Sequence, residues 1–266
     1  WYSEGTINYY YGGQYFAVFL TKLSGSRVEL TYNLMRTFVA AFGFVLPFSL
    51  VRQLLRDRLT GRLQGKTAYI PSVAGFTAGT AVSIAGNGHY IVYRCVLPLI
   101  HKIQGVAETG SYWFPDATRY IGYNPLNEED QTIHEFPCYS FVLGDLHAHV
   151  VNVMFVLLVI GLLYTWMKKM RTGEAVYTKM KGREFWLRQI CMPHILLVSV
   201  LLGMFQWTNY WDFVIYFVVS GGVILFTNIV QFEGRISRIL VVTAAQAAEM
   251  VVISYLVILP FTLKFK

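Results

Sequence analysis

Charge is scarce in this sequence. Of its 266 residues, 14% are Asp, Glu, Lys or Arg, against about 25% in an ordinary soluble domain. Cysteine is sparser still. Cys95, Cys138 and Cys191 lie far apart with no Cys-x-x-Cys spacing, and they support neither a zinc site nor a disulfide framework. Cys95 and Cys138 fall on one side of the topology derived below, which leaves a single pair open. There is no inverted repeat and no broken pair of midplane helices, the features expected of a carrier. No basic leader and cleavage site precede Tyr2. With Trp1 at its start and Lys266 directly after an apolar run, the chain reads as an interior piece of a longer protein.

What is present is apolar. Hydrophobic residues make up 55% of the chain, and mean hydropathy is +0.45. Several apolar runs are long enough to cross a bilayer, so the expected fold is all-α, a polytopic helix bundle. Aromatics reach 16%, with Tyr and Trp gathered near the ends of the runs, as in an interfacial belt. The net charge of +7 invites a nucleic-acid reading, but the basic residues sit in short loops between apolar runs. Membrane topology explains them, and nucleic acid is not an expected partner.

Six spans are expected, at about 30–50, 68–85, 150–166, 190–206, 213–229 and 239–259. The second is rich in Gly, Ala, Ser and Thr, which lets helices approach closely in lipid. Two shorter runs, 14–23 and 89–104, read as amphipathic helices lying in the interface, the first ended by Gly25. The chain divides into an outer loop with an interfacial helix (1–29), two spans (30–85), a second outer loop (86–149) and four spans (150–266). The loops at 51–67, 167–189 and 230–238 are the basic ones. Alternation puts all three on one side, which the positive-inside rule assigns to the cytoplasm. The segments 1–29, 86–149 and 207–212 then face outward, on a multi-pass protein of the plasma membrane.

The chemistry gathers in 86–149. Asp145, His147 and His149 put one carboxylate and two imidazoles into five residues, directly before an apolar span. Ionisable groups at the mouth of a span are costly to hold there and usually have work to do. In an extended segment, residues two apart share a side; on a helix, Asp145 and His149 share a face. The trio reads either as a half-site for a divalent cation (Mg or Mn) or as an acid/base and phosphate-binding group. A structural alternative makes Asp145 the N-cap of a helix starting near Leu146. Glu135, just before Phe136-Pro137, is a further candidate base or ligand. Arg119 offers a planar fork for phosphate, near Asp116. Asn209 and Asp212 stand among Trp and Tyr between two spans. Within the spans, Arg36 and Glu249 form a candidate ion pair, and Gln246 shares a face with Glu249.

Longer motifs carry a resemblance. Ile7-Asn8-Tyr9-Tyr10-Tyr11-Gly12, the following Thr21-Lys22-Leu23-Ser24-Gly25, and Glu135-Phe136-Pro137…Ser140-Phe141…Gly144-Asp145-Leu146-His147…His149 resemble the YYY-type ("Chlor-Arch-YYY") multispanning membrane proteins of bacteria and archaea. Thr208-Asn209-Tyr210-Trp211-Asp212-Phe213 is similar to that family's Asn-Thr-Trp-Asp element, with Tyr210 in place of Thr. Ala148 stands where the family usually has Pro, and Cys138-Tyr139 replaces an apolar aromatic pair. The family in turn is similar to the GT-C membrane glycosyltransferases, which draw a sugar from a polyprenyl-phosphate lipid at the outer face. The resemblance implies a GT-C-like fold and a prokaryotic plasma membrane. It implies a polyprenyl-phosphate-linked sugar as partner. Asp145, His147, His149 and Glu135 become the catalytic candidates; Arg119, Asp116, Tyr10, Asn209 and Asp212 become the substrate-binding ones. It also puts that superfamily's acidic motif in the first outer loop, before Trp1. Two other classes stay open: an ion-coupled transporter, supported by Glu249, Gln246 and Arg36, and a non-catalytic envelope assembly protein.

Overall fold

The structure, a computed structural model, describes residues 9–107, 112–123, 125–171 and 182–263. Glu4, the Ile7-Asn8 start of the tyrosine motif, and Lys179 and Lys181 of the basic loop lie outside the described residues. The described chain is helical, and its only extended pairing consists of the isolated bridges Ile121–Thr132 and Tyr123–Leu126. The helices are α1 (Gly12–Ser24), α2 (Val28–Arg58), α3 (Ile70–Ser83), α4 (His89–Ile91), α5 (Leu97–Gln104), α6 (Pro137–Leu143), α7 (Ala148–Arg171), α8 (Gly182–Ile190), α9 (Pro193–Thr208), α10 (Tyr210–Phe232) and α11 (Ile236–Thr262).

Four of these, α2, α7, α10 and α11, are long and apolar enough to cross a membrane, and a fifth span forms if α8 and α9 count as one. The pair is bent by 42°. The reason lies at Pro193, which is the first residue of α9 and holds Met192 extended, so the helix cannot run through. The run at 68–85 behaves differently from expectation. It forms α3, a helix of 14 residues, about 21 Å long against a hydrocarbon core of about 30 Å.

The chain forms two compact units, residues 1–35 with 146–266, and residues 36–145. In the first, α9 and α11 lie in the closest approach. A Cβ placed on Gly203 would stand 2.6 Å from Val257 Cβ, and the Ser254 hydroxyl donates to the Ser199 carbonyl at 2.9 Å. Small residues thus bring the backbones together, as helix pairs in lipid require. Around this seam Leu163, Trp166, Ile195, Leu202, Phe205, Ile224 and Met250 form a buried apolar core. Polar side chains are buried inside it as well. Asn228 donates to Gln246 Oε1 at 2.8 Å and to Thr243 Oγ1 at 3.0 Å, while Gln246 Nε2 donates to the Gln189 carbonyl at 3.2 Å. Helix α1 packs on α7 and α9 through Gly12 and Gly13. Its other side exposes Tyr15, Val18, Phe19 and Leu23, and it stops at Gly25 in the left-handed region, φ 63°.

The second unit rests on fewer buried side chains. Helix α3 runs back along α2: added Cβ atoms would meet the Phe48 carbonyl oxygen at Gly75 (2.6 Å) and the Phe44 carbonyl oxygen at Gly79 (2.8 Å). The segment 89–104 is helical, with a π-helical turn Val92–Val96 between α4 and α5, and none of its residues is buried. Tyr90, Ile91, Leu99 and Ile103 are among its exposed apolar side chains. All three cysteines are free thiols, so the pairing left open for Cys95 and Cys138 is not made.

Candidate functional site

The candidate residues divide between the units. Asp116, Arg119, Glu135 and Asp145 belong to residues 36–145; Tyr10, His147, His149, Asn209 and Asp212 belong to the other unit.

In residues 36–145, Trp113 leads into a 3-10 turn, Phe114–Thr118, that carries Asp116 and ends at Arg119. The Arg119 guanidinium lies 4.7 Å from the centre of the Trp113 ring, a cation–π contact, and its Nη1 is buried with no hydrogen-bond partner among the described residues. The His134 amide donates to the Thr118 carbonyl at 2.9 Å, and the His134 ring stacks on Tyr120. Glu135 therefore follows directly on a strand of chain tied to the Arg119 turn. Nearby, burial and the Asp116 carboxylate push the Tyr112 hydroxyl above its ordinary pKa.

Phe136 is extended, as the residue before a proline should be, and Pro137 starts α6. The helix ends at Gly144, φ 74°, where the Gly144 and Asp145 amides both turn onto the Ser140 carbonyl. This is a left-handed glycine stop. A Cβ at Gly144 would also meet the Arg36 guanidinium, the flexible end of a long side chain that can shift, so it is the positive φ that calls for glycine here. Arg36 lies against the Gly144 backbone of its own unit.

Asp145 is not the N-cap of α7. Its amide closes α6, and the first amides of α7, at Val150 and Val151, bond to the His147 carbonyl at 3.1 and 3.0 Å. The capping place falls to His147. The left-handed turn at Gly144 consumes the two residues that the sequence pattern had assigned to the start of the next helix.

In the other unit, His147 and His149 converge as expected, but over the first turn of a helix and not along an extended segment. Their ring centres are 5.0 Å apart. The Tyr9 hydroxyl stands 3.2 Å from His147 Nε2. Tyr10, the tyrosine singled out from sequence, lies beside Tyr9 with its ring tilted against it, so the contact comes from its neighbour. The tyrosine triplet was a signal for this contact without saying which ring makes it.

One turn along α7 from His149 lies Asn152, fully buried. It donates to Asp212 Oδ2 at 2.5 Å, and the Thr208 hydroxyl donates to Asn152 Oδ1 at 2.8 Å. Asn209 also donates to Asp212 Oδ2, at 2.9 Å. Asn209 joins α9 to α10, so the network fixes that corner against α7. The expected pair Asn209 and Asp212 is thus brought together, with Asn152 and Thr208 added. No sequence signal marked Asn152, an amide inside an apolar run. Two imidazoles, a phenol and a carboxylate–amide network therefore lie within about one turn of each other along α7, at the end where the span begins.

These features define a polytopic helical membrane protein with a polar cluster at the mouth of a span. The chain belongs to the family of uncharacterised membrane proteins designated DUF2298, whose model matches residues 1–266. No curated protein and no solved structure matches it.

Proposed function

We propose that the protein is a membrane glycosyltransferase of the GT-C kind, moving a sugar from a polyprenyl-phosphate donor at the outer face of a prokaryotic plasma membrane. The observation that carries this reading is the Tyr9–His147–His149 group standing beside the Asn152–Asp212 network at the head of α7. Glycosyl transfer needs a base for the acceptor hydroxyl and donors for the departing phosphate. His147 and His149 are the candidate donors to that phosphate. Asp145, two residues earlier, is the candidate base, and Glu135 is its substitute. Arg119, whose Nη1 is buried with no hydrogen-bond partner among the described residues, is a further candidate for binding phosphate. Tyr10, Asn209, Asp212 and Asp116 are candidate sugar contacts. In the reaction, the acceptor oxygen loses its proton to the base and bonds to the anomeric carbon. The bond from that carbon to the phosphate oxygen breaks, and the lipid phosphate leaves.

For a divalent cation, His147 and His149 fit as two nitrogen ligands of a half-site. That donor set suits a transition metal and not the Mg offered by the sequence, because Mg takes oxygen ligands. The positive-inside rule supports an outward-facing site, since the basic loops lie at the other ends of the spans.

The test is transfer of radiolabelled sugar from polyprenyl-phosphate lipid in vesicles carrying the full-length protein. Changing His147 or His149 to Ala, or Asp145 to Asn, is expected to lower transfer about 100-fold while the protein still assembles in the membrane. Full activity in all three variants rejects the reading and favours an envelope assembly role.

A second reading has its own observation. Glu249 stands in the middle of α11 with Oε2 buried and no hydrogen-bond partner among the described residues. Such a carboxyl inside a span is the mark of an ion or proton path. An ion-coupled transporter predicts that Glu249→Gln abolishes solute uptake while the His147 and His149 variants keep it.

A further inference from the structure

In the unit of residues 36–145, the chain from His89 to Gln104 is helical, and none of its residues is buried. Val92, Val96, Leu99 and Ile103 recur along it at spacings of four, three and four, so they line one face. All four are exposed, Ile103 to 77%. Arg94 and Lys102 stand off that stripe, and the segment contains no Asp or Glu. At about 24 Å it is too short to cross a hydrocarbon core of about 30 Å. Its first turn is tied down: the Tyr112 hydroxyl lies 2.9 Å from His89 Nδ1, and the Asn87 side chain donates to the Ala117 carbonyl. Helix α5, which carries Leu99 and Ile103, has no such ties.

An exposed apolar stripe does not by itself say what covers it, but the path of the chain does. A Cβ on Gly43 would stand 4.0 Å from Ser83 Cβ, the last residue of α3. Gly43 is the middle residue of α2 and lies inside its apolar run. A spanning α2 therefore puts the end of α3 near the bilayer midplane. His89 follows Ser83 by six residues, a reach of at most about 20 Å. The real path is shorter. The Ile84 and Ala85 amides both bond to the Thr80 carbonyl, and Asn87 Oδ1 accepts from the His89 amide. A bilayer with its head groups extends about 20–22 Å from the midplane. The segment thus begins within the thickness of the bilayer. Gly88 at φ 77° and Gly105 at φ 67° turn the chain at its two ends.

We infer that residues 89–104 are a lipid-binding surface helix: Val92, Val96, Leu99 and Ile103 sink into the acyl boundary, and Arg94 and Lys102 reach the phosphates of the head groups. Such a stripe gains burial in lipid that no part of the protein gives it, and the long basic side chains keep their charge at the polar level. The helix fills part of the leaflet that the short α3 leaves uncrossed. This inference does not depend on the transfer chemistry proposed above.

Electron paramagnetic resonance on the full-length protein in vesicles of phosphatidylcholine and phosphatidylglycerol tests this. Nitroxide labels are placed one at a time through Val96→Cys, Leu99→Cys, Lys102→Cys and Ile103→Cys, with Cys95, Cys138 and Cys191 changed to Ser. Collision with oxygen, which concentrates in lipid, is compared with collision with a nickel chelate, which stays in water. Labels at Val96, Leu99 and Ile103 should favour oxygen and meet the chelate severalfold less than the label at Lys102. Leu99→Glu with Ile103→Glu removes the stripe from lipid, and the Val96 label should then meet the chelate about tenfold more often, with elution volume unchanged. Equal chelate contact at Leu99, Lys102 and Ile103 would put the stripe in water. Shielding of the stripe from both probes would put it against protein, a second copy included. Either result overturns the inference, as does unchanged access at Val96 in the double Glu variant.

Discussion

Residues 146–266 and residues 36–145 are assembled by different means. The first region buries large side chains, Trp166, Phe205 and Phe232 among them, and closes a polar network, Gln189–Asn228–Gln246, inside that apolar core. In the second, Val39, Ala117 and Tyr139 are the buried hydrophobics among the described residues. It relies on glycine contacts to carbonyls, an aromatic stack of Phe114 on Tyr139 at 5.3 Å, and helix stops. The contrast shows that apolar residues alone do not hold a membrane helix to its neighbour. Lipid is as good a solvent for Leu as another helix, so close backbone approach and buried hydrogen bonds decide the pairing.

Several changes would break or sharpen this comparison. The largest effect is expected at Gly203. Gly203→Leu drives a side chain into Val257 and the Ser254 carbonyl, and should cost about 3 kcal/mol or more, read as a fall in the thermal unfolding midpoint in detergent. Gly79→Leu, against the Phe44 carbonyl, should cost less, because the edge of α3 can move away from α2. Equal losses would end the distinction between the two regions. Next comes Gln246→Leu, which leaves the Asn228 amide and the Gln189 carbonyl without their partner and should cost about 2 kcal/mol. Changing Gln189, Asn228 and Gln246 all to Leu should recover part of that loss, since the side-chain amides are then gone and only the Gln189 carbonyl and the Thr243 hydroxyl lose a partner. Gly144→Ala should cost about 1–2 kcal/mol from its left-handed φ and displace the Arg36 guanidinium.

The smallest effect concerns the thiols and is kinetic. Burial pushes the Cys138 thiol above its ordinary pKa. The thiolate is the reactive form, so less of it exists at pH 8 than in a thiol of ordinary pKa. Alkylation of Cys138 should lag behind that of the exposed Cys191 at pH 8 and gain on it as pH rises. A constant ratio across pH 7–10 would mean that access alone, and not burial of charge, slows Cys138.

Much of the architecture was legible. The runs at 30–50, 150–166, 213–229 and 239–259 stand inside α2, α7, α10 and α11, because a span needs about 20 apolar residues and few other folds use them. Gly25 ended α1 as expected, since few residues but glycine take φ 63° without strain. The 68–85 run misled by length. Its small residues gave it hydropathy, but the helix they form is 14 residues long. Asp145 misled because capping residues look alike before and after a helix, and only the path of the Gly144 turn tells which helix it serves. Within the site, the histidine pair was visible from its two-residue spacing. Asn152 was not, because an amide in an apolar run announces nothing until a partner such as Asp212 arrives from residues far away in sequence.

By itself, then, the sequence determined a polytopic helical protein, the positions of most of its membrane helices, and the gathering of imidazoles at the head of one of them. Those features rest on local quantities: hydropathy summed over a run, the φ that glycine permits, and the spacing of side chains along one turn. The tertiary structure alone decided that Tyr9 meets His147, that Asn152 and Thr208 reach the Asp212 corner, and that Gln246 closes a network with Asn228 and Gln189. Each of those contacts joins residues distant in the chain, and a hydrogen bond acts only over about 3 Å, a separation that no local pattern encodes.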